Sequence, residues 1–281
     1  MCRNTVKYIY NRYSSLFLHK KGLIILIETE RDFGKACLAH GFARLARRLY
    51  ARCIGDGIYQ TIYTGFRDYI STDSPNYSNE NRKDYYISIG IRSLYSSLLE
   101  DAFADNRGIG GYRPGVLLHK CKYSGQFNGI EEEYSFMEQG GFDVLDSVNS
   151  QEKFLELWDA IQTTADGNRI HDPILVEPLL LCRRKNEAEY EISTNIVQST
   201  DAYMSYMDRV ECGYLAKDSA YETRYWSKMR RQLNLWKLIA RDRHDGLVHY
   251  ISENYSRNLS WAKQYGIPTD MLSSPRALEH M

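Results

Sequence analysis

The sequence lacks an excess of charge of either sign. Its 281 residues include 36 Lys and Arg and 36 Asp and Glu, so the formal net charge is zero. Proteins that bind nucleic acid through bulk charge are usually basic, and so are proteins that bind membrane surfaces through clusters of Lys and Arg. The composition therefore argues against both kinds of partner.

Long apolar runs are also missing. The most apolar early stretch, residues 22–27 (GLIILI), ends at Glu28, whereas a membrane-spanning helix needs about 20 apolar residues. A secretory signal needs a longer apolar region followed by small residues at its cleavage site. We therefore expect a soluble, cytoplasmic protein.

The sequence has few features that bind metal or perform catalysis. The six cysteines are scattered without a CxxC pair, which predicts free thiols. His119 and Cys121 alternate on a predicted strand, but a zinc site needs three or four ligands. The usual phosphate-loop, dinucleotide, nucleophile-elbow and kinase motifs do not occur. We expect no metal and no cofactor, and leave open whether the protein is an enzyme.

The clearest pattern that is present predicts β-strands. Tyr85, Ile87, Ile89 and Ile91 alternate with smaller or polar residues, which is typical of a strand with one buried face. Two further strand-like runs, residues 48–54 and 58–64, flank the link Gly55-Asp56-Gly57. Such a link supplies the positive φ angles of a tight turn, so these runs predict a β-hairpin. Together the runs predict an antiparallel sheet.

Helical spacing of apolar residues predicts the remaining elements. We expect helices over residues 23–40 and 150–161, and a further strand over 116–123. Residues 93–103 are either a short helix or an edge element. After Gly167 glycines become rare and the helical patterns lengthen, which predicts helices at 173–182, 201–215, 225–241 and 247–265.

These elements define an α+β fold. We expect an α+β domain over residues 1–165, with an antiparallel sheet and a packed N-terminal helix, followed by an α-helical extension over residues 166–281. In this arrangement Ile87, Ile89 and Ile91 pack against Ile27, Phe33 and Cys37.

Several short motifs resemble a known family. They are Gly41-Phe42 after the first helix, the basic residues Arg44, Arg47 and Arg48, Tyr50, the run 56–60 (DGIYQ) and the run 87–91 (ISIGI). In this order they resemble the domain-of-unknown-function 4304 family of bacterial proteins, over about residues 25–95. Residues 142–160 are similar to a later part of that family. The resemblance implies an α+β fold with an antiparallel sheet. Because the family has no established activity, it implies no catalytic residue.

The hairpin region also contains the densest group of basic and aromatic residues. Four arginines lie within nine positions, with tyrosines close by, and such a surface suits a phosphate group, RNA or an acidic partner protein. The alternative is that the arginine stems lie over tyrosines on a sheet face. The candidate ligand-binding residues are Arg44, Arg47, Arg48, Arg52, Tyr50, Tyr59 and Gln60.

Three functions follow from these observations, the weakest being RNA binding, which would require a steep salt dependence. The first is a non-enzymatic protein-interaction module that binds through the tyrosine-rich sheet or the helical extension, because tyrosine and arginine are common interface anchors. An accessory or immunity-type role would suit the family resemblance. The alternative is an enzyme or binder of a phosphate-bearing ligand that uses the Arg/Tyr-rich surface at residues 44–63.

Overall fold

The structure is a computed structural model, and it describes residues 30–68, 83–97, 134, 137–161 and 173–275. Statements about structure refer to these residues. The predicted strand at 116–123, the start of the first predicted helix and most of the 93–103 element lie outside them. So does residue 165, so the predicted boundary between two domains stays a prediction.

The predicted antiparallel sheet is confirmed. Its strands, β1 (Ala43–Ala46), β2 (Leu49–Gly55), β3 (Ile58–Asp68) and β4 (Lys83–Ser93), lie side by side in chain order, each antiparallel to the next. A two-residue strand near the C-terminus, β5 (Met271–Leu272), adds in parallel to the end of β2. The alternation along β4 is the pattern that predicted it.

The turn between β2 and β3 depends on glycine. Gly55 and Gly57 have φ angles of +56° and +68°, which side chains other than glycine rarely adopt. Between them, the backbone N–H of Asp56 donates to the carbonyl oxygen of Asn149 at 2.8 Å. The turn is therefore both a hairpin turn and a contact with the helical part of the chain.

The N-terminal helix packs on one face of the sheet. Helix α1 (Glu30–Ala39) ends where Gly41 takes a φ of +78° and the N–H of Phe42 donates to the Cys37 carbonyl, as is common at helix C-termini. Phe33 and Cys37 on α1 belong to the same core cluster as Ile89 and Ile91 on β4, which confirms that part of the predicted packing. Ile27 and the side chain of Ile87 are not described.

Helices make up the rest of the described chain. A π-helical turn (Met137–Gly141) leads into α2 (Phe142–Ser147), and α3 (Gln151–Ile161) follows. A 3₁₀ turn (Pro173–Leu175) leads into α4 (Val176–Leu181). Three long helices complete the chain: α5 (Lys185–Glu211), α6 (Ser219–Ala240) and α7 (His244–Gln264). No helix in these ranges combines the length and apolar character that crossing a bilayer requires.

Helices α3, α4 and α7 agree with the sequence patterns, whereas α2 was not predicted, α6 begins six residues before its predicted start at Tyr225, and α5 differs most. Helix α3 begins within one residue of its predicted start, but α5 begins 16 residues before the predicted start at Asp201. Its first half contains Ser, Thr and Asn, which weaken the apolar periodicity. Ala188 and Ile192 still place one face in the core, and this burial is sufficient to fix the helix.

Both parts of the chain share one apolar core. Phe33, Ile62 and Ile89 from the sheet layer form one cluster with Ile192, Ile239 and Ile251 from the helices. A smaller cluster lies on the other face of the sheet. There Cys53 and Tyr59 pack against Ala262, which lies in the last turn of α7, and against Ile267, which lies just beyond it. The sheet is thus covered on both faces.

We expect Gly55→Ala to destabilise the fold more than Gly213→Ala. A Cβ at position 55 would lie 1.9 Å from the carbonyl oxygen of Asn149, whereas position 213 has no atom within 4 Å. Both glycines have positive φ, so both changes have a cost of about 1–2 kcal/mol for the backbone conformation. The clash should add at least about 2 kcal/mol at position 55. Equilibrium urea unfolding measures the difference, and equal losses would contradict this role for Gly55.

Candidate functional site

Arg52 occupies an exceptional position for an arginine. On β2 it lies between Tyr50 and Ile54, on the face of the sheet that points into the core, and its side chain is 0% exposed. Arginine is almost never fully buried unless it is paired, because removing its charge from water is costly. The surroundings of Arg52 must therefore supply both charge and hydrogen-bond acceptors.

Four groups surround the Arg52 guanidinium. Its Nε donates to Oε1 of Gln60 at 2.8 Å, and its Nη1 donates to the backbone carbonyl of His40. Its Nη2 lies 2.7 Å from Oδ1 of Asp146. The ring of Phe42 lies under the guanidinium, with its centroid 4.2 Å from Cζ. We call Arg52, Gln60, Asp146, His40 and Phe42 the Arg52 cluster.

The Arg52 cluster holds two helix ends against the sheet. The His40 carbonyl lies just beyond the C-terminus of α1, where carbonyl groups have no partner within the helix. Gln60 lies opposite Arg52 on β3, and its Nε2 donates to the carbonyls of Leu145 at 2.7 Å and Val148 at 3.1 Å. These two carbonyls belong to the end of α2. The pair thus satisfies acceptors from both helices.

Asp146 and His40 form the outer side of the cluster. Oδ2 of Asp146 lies 2.9 Å from Nδ1 of His40, and the His40 ring stacks on Phe142 with centroids 4.3 Å apart. Burial raises the pKa of Asp146, but the hydrogen bond with His40 and the adjacent Arg52 guanidinium outweigh it, so the net pKa is lowered. An ionised carboxylate only accepts hydrogen bonds, so it directs a proton to Nδ1 of His40.

The geometry fits a structural role better than a catalytic one. Because the Arg52 side chain is fully buried, its N–H groups do not reach solvent or an external ligand. The nearby thiol of Cys37 is also buried, and burial raises its pKa, so the unreactive thiol form dominates. Within the described ranges, no group of three His, Cys, Asp or Glu side chains could hold a metal ion.

The other sequence-predicted site residues lie apart from this cluster. Arg44 is exposed and donates to backbone carbonyls of Ala46 and Arg47, so it braces the turn between β1 and β2. Arg48 lies 3.6 Å from Glu30. Tyr50 is buried against Phe33 on the core face, and Tyr59 is buried on the opposite face. Of the seven predicted residues, Arg52 and Gln60 are hydrogen-bonded to each other.

Sequence reasoning missed His40 and Asp146. A signal for them was present, because Arg52 and Gln60 fall at inward positions of a predicted hairpin whose other inward residues are Tyr50, Ile54, Ile58 and Ile62. An inward arginine requires an anion. No sequence pattern indicates which carboxylate supplies it, because Asp146 lies 94 positions further along the chain.

A second polar cluster lies where β4 ends. The backbone N–H of Ser97 donates to Oε1 of Glu177 at 3.0 Å, and Glu177 is fully buried on α4. Nδ2 of Asn258, on α7, donates to the carbonyls of Leu94 at 2.7 Å and Ser96 at 2.8 Å. Burial raises the pKa of Glu177 despite the hydrogen bond from Ser97. Helices α4 and α7 thus both hold residues 94–97.

The hairpin of α5 and α6 differs from the rest of the helical part. The buried residues of α5 are Ala188, Glu191, Ile192 and Asn195, and those of α6 are Met229, Gln232, Leu235 and Ile239. Residues 197–228, which we call the distal arm, contain no fully buried residue. The arm therefore extends beyond the core.

Aromatic rings hold the two helices of the distal arm together. Tyr203 on α5 stacks on Tyr225 of α6 with ring centroids 4.1 Å apart and planes 8° apart. Tyr206 lies against Tyr221, with centroids 4.5 Å apart, and its hydroxyl accepts the backbone N–H of Asp218 at 2.7 Å. Asp218 in turn caps α6, because its carboxylate accepts the N–H groups of Ala220 and Tyr221.

Other apolar side chains of the arm lie in solvent. Met204, Tyr214, Leu215 and Trp226 are exposed, and Tyr214 is 78% exposed. Large exposed apolar side chains grouped in one region are typical of interaction sites. The distal arm is therefore the second candidate functional surface, beside the hairpin region.

Comparisons with known proteins add no function to this geometry. No family model matches the chain, and neither a curated protein nor a solved structure matches it. The resemblance to the domain-of-unknown-function 4304 family stays a prediction.

We expect Asp146→Asn to destabilise the protein by about 2 kcal/mol at neutral pH. Losing one partner of a fully buried pair costs roughly 3–5 kcal/mol, and solvent near Asp146, whose side chain is 42% exposed, reduces this. Because the folded pKa of Asp146 is lowered, its stabilising effect is present above about pH 4 and is lost as pH falls through the folded pKa. Urea unfolding at several pH values should show the difference from wild type shrinking on acidification.

Asp159→Asn is the matched control for this substitution. The Asp159 side chain is also 42% exposed, but its partner Arg184 is partly exposed and lies 3.4 Å away. Exposed pairs of this kind contribute about 0–1 kcal/mol. If both substitutions had the same effect, the burial of Arg52 would not be what makes Asp146 important.

We expect Glu177→Gln to make the protein more stable at neutral pH. A folded pKa above the ordinary value means that Glu177 favours the fold at low pH and disfavours it increasingly as pH rises above about 4.3. Glutamine stays neutral and keeps an oxygen for the Ser97 N–H. The gain in the urea midpoint should grow between about pH 4 and pH 8. Glu211→Gln, at an exposed site at the end of α5, should show no such trend.

Proposed function

We propose that this protein is a non-enzymatic protein-interaction module and that the distal arm is its contact surface. The observation that carries the proposal is the exposure of four large apolar side chains on the hairpin of α5 and α6, which extends beyond the core. Met204 and Trp226 lie on the two helices, and Tyr214 and Leu215 lie in the loop between them. Trp, Tyr and Met are enriched where proteins bind one another.

The arm is suited to binding because it is ordered before a partner arrives. The stacked tyrosines and the Asp218 cap fix the two helices relative to each other. Trp226 contacts the rings of Tyr203 and Tyr225 and is still 53% exposed, and Met204 and Tyr214 are exposed as well. A preorganised surface loses less conformational entropy on binding than a flexible one. The exposed apolar groups therefore remain available for a partner.

The phosphate-ligand alternative has less support. It requires arginines from residues 44–63 to converge on a ligand, but the Arg52 guanidinium is enclosed by its own partners. The guanidinium of Arg44 donates hydrogen bonds to backbone carbonyls in the turn between β1 and β2. These arginines serve the fold in the described structure, whereas Met204, Tyr214 and Leu215 on the arm are exposed.

We expect substitution of exposed arm residues to abolish binding without affecting the fold. The test uses the affinity-tagged full chain, expressed and crosslinked in its own host, with recovered proteins quantified by mass spectrometry. Tyr214→Ser with Trp226→Ser should lower recovery of a near-stoichiometric partner at least about tenfold, because aromatic anchors carry about 2 kcal/mol or more. Tyr214→Ser alone, which removes no ring of the stack, should lower it less.

Leu38→Ser is the control for this experiment. Leu38 is exposed on α1, away from the arm, so recovery of the partner should equal that of wild type. Circular dichroism should give the same spectrum for all four proteins. Equal recovery with the arm variants, or no stoichiometric partner of the wild type, would contradict the proposed function.

A further inference from the structure

One face of α5 carries a stripe of exposed apolar side chains. Tyr190, Val197 and Met204 are 61%, 59% and 55% exposed, and they follow one another at seven-residue steps. Seven residues make nearly two helical turns, so the three side chains lie on one face over about 21 Å. The buried residue Ile192 lies five positions before Val197 and points about 140° away from it. The stripe therefore faces away from the core.

Acidic residues flank this stripe. Asp201 and Asp208 follow Val197 and Met204 by four residues each, so they lie one turn further along the same side. Both are exposed, and neither has an ion-pair partner within the described part of the chain. Helix α5 as a whole has two basic and six acidic residues, a formal charge of −4.

We propose that this face of α5 docks a basic amphipathic helix of a partner protein. Tyr190, Val197 and Met204 would contact apolar side chains spaced by seven residues on that helix, and Asp201 and Asp208 would pair with its Lys or Arg side chains. The inference rests on the proposed function and deepens it by naming the docking face and the chemistry of the partner.

The seven-residue spacing of the stripe favours a helix as the element that binds to it. In coiled coils two positions of every seven are apolar, and this face supplies one of the two, so its side chains return to the same side of a second helix at each step of seven residues. Charges beside the contact then determine which helix binds. An extended peptide would present side chains on a period of two and could not match these steps.

A second copy of this chain fits the face less well. Two α5 helices would bring charges of −4 together, and like charges at a seam favour another partner. Helix α6 is basic, with five basic residues and one acidic residue. Apart from Trp226 and Trp236, however, its exposed side chains are mostly polar and do not supply an apolar stripe.

Two designed peptides test the proposal with the full chain. Each is a fluorescein-labelled 21-residue helix with leucine on one face, and the residues beside the leucines are Lys in one peptide and Glu in the other. In fluorescence anisotropy titrations, the wild type should bind the Lys peptide at least about tenfold more tightly than the Glu peptide. The difference should shrink as the salt concentration rises.

Substitutions on the exposed face should alter binding without unfolding the protein. Val197→Asp should weaken binding of the Lys peptide at least about tenfold, because it places a charge in the middle of the apolar stripe. Asp201→Lys with Asp208→Lys should reverse the preference and favour the Glu peptide. The charge-matched control, Asp245→Lys with Asp270→Lys, changes exposed carboxylates off α5 and should bind as wild type does.

Any of three titration results would overturn the proposal. The wild type could show no saturable binding of the Lys peptide up to about 1 mM. Val197→Asp could bind that peptide as tightly as the wild type does, or the control double variant could lose as much binding as Asp201→Lys with Asp208→Lys. A wild-type dimer in sedimentation that Val197→Asp converts to a monomer would also overturn it, by showing that a second copy covers the face. The titrations need no natural partner, and their substitutions lie on α5, whereas the experiment in the host uses substitutions at positions 214 and 226. A negative titration would therefore contradict the docking face on α5 without contradicting the proposed function.

Discussion

The burial of one positive charge constrains the whole sheet layer. Arg52 lies on the core face of the central hairpin, and an unpaired guanidinium there would be prohibitively costly. Its partners come from three separate places: Gln60 on β3, the carbonyl after α1, and Asp146 on α2. The cluster therefore forms only when the hairpin, α1 and α2 are all in their final positions. A buried pair of this kind contributes more to specifying one arrangement than to net stability.

The same principle operates where β4 meets the helices. Glu177 and Asn258 are buried polar residues on α4 and α7, and both bind the backbone of residues 94–97. Apolar contacts alone would allow these helices to slide along the sheet, because apolar attraction has no preferred direction. Directed hydrogen bonds to backbone atoms remove that freedom. The helical part is thereby fixed to the sheet by polar contacts inside a shared apolar core.

The sequence predicts the elements well and the connections between them poorly. Local signals were sufficient for the hairpin at Gly55–Gly57, for β4 with its alternating isoleucines, and for α3. Each depends on neighbours within a few residues. The Arg52 cluster joins residues 40, 52, 60 and 146, and spacing cannot indicate such a distant pairing. Surface composition was similarly ambiguous, because an arginine-rich hairpin is compatible both with a binding surface and with the buried and bracing roles that these arginines have in the structure.

Helix α5 connects the packed core with the distal arm. Its first eleven residues place Ala188 and Ile192 in the core, so its direction is fixed by the same packing that holds the sheet. The remaining residues continue that direction, because a helix with intact hydrogen bonds bends little over four turns. Stacking of Tyr203 on Tyr225 then holds α6 alongside without covering Met204 or Trp226. The proposed interaction with another protein accounts for the position of these exposed side chains, because a fixed support loses little conformational entropy when it binds.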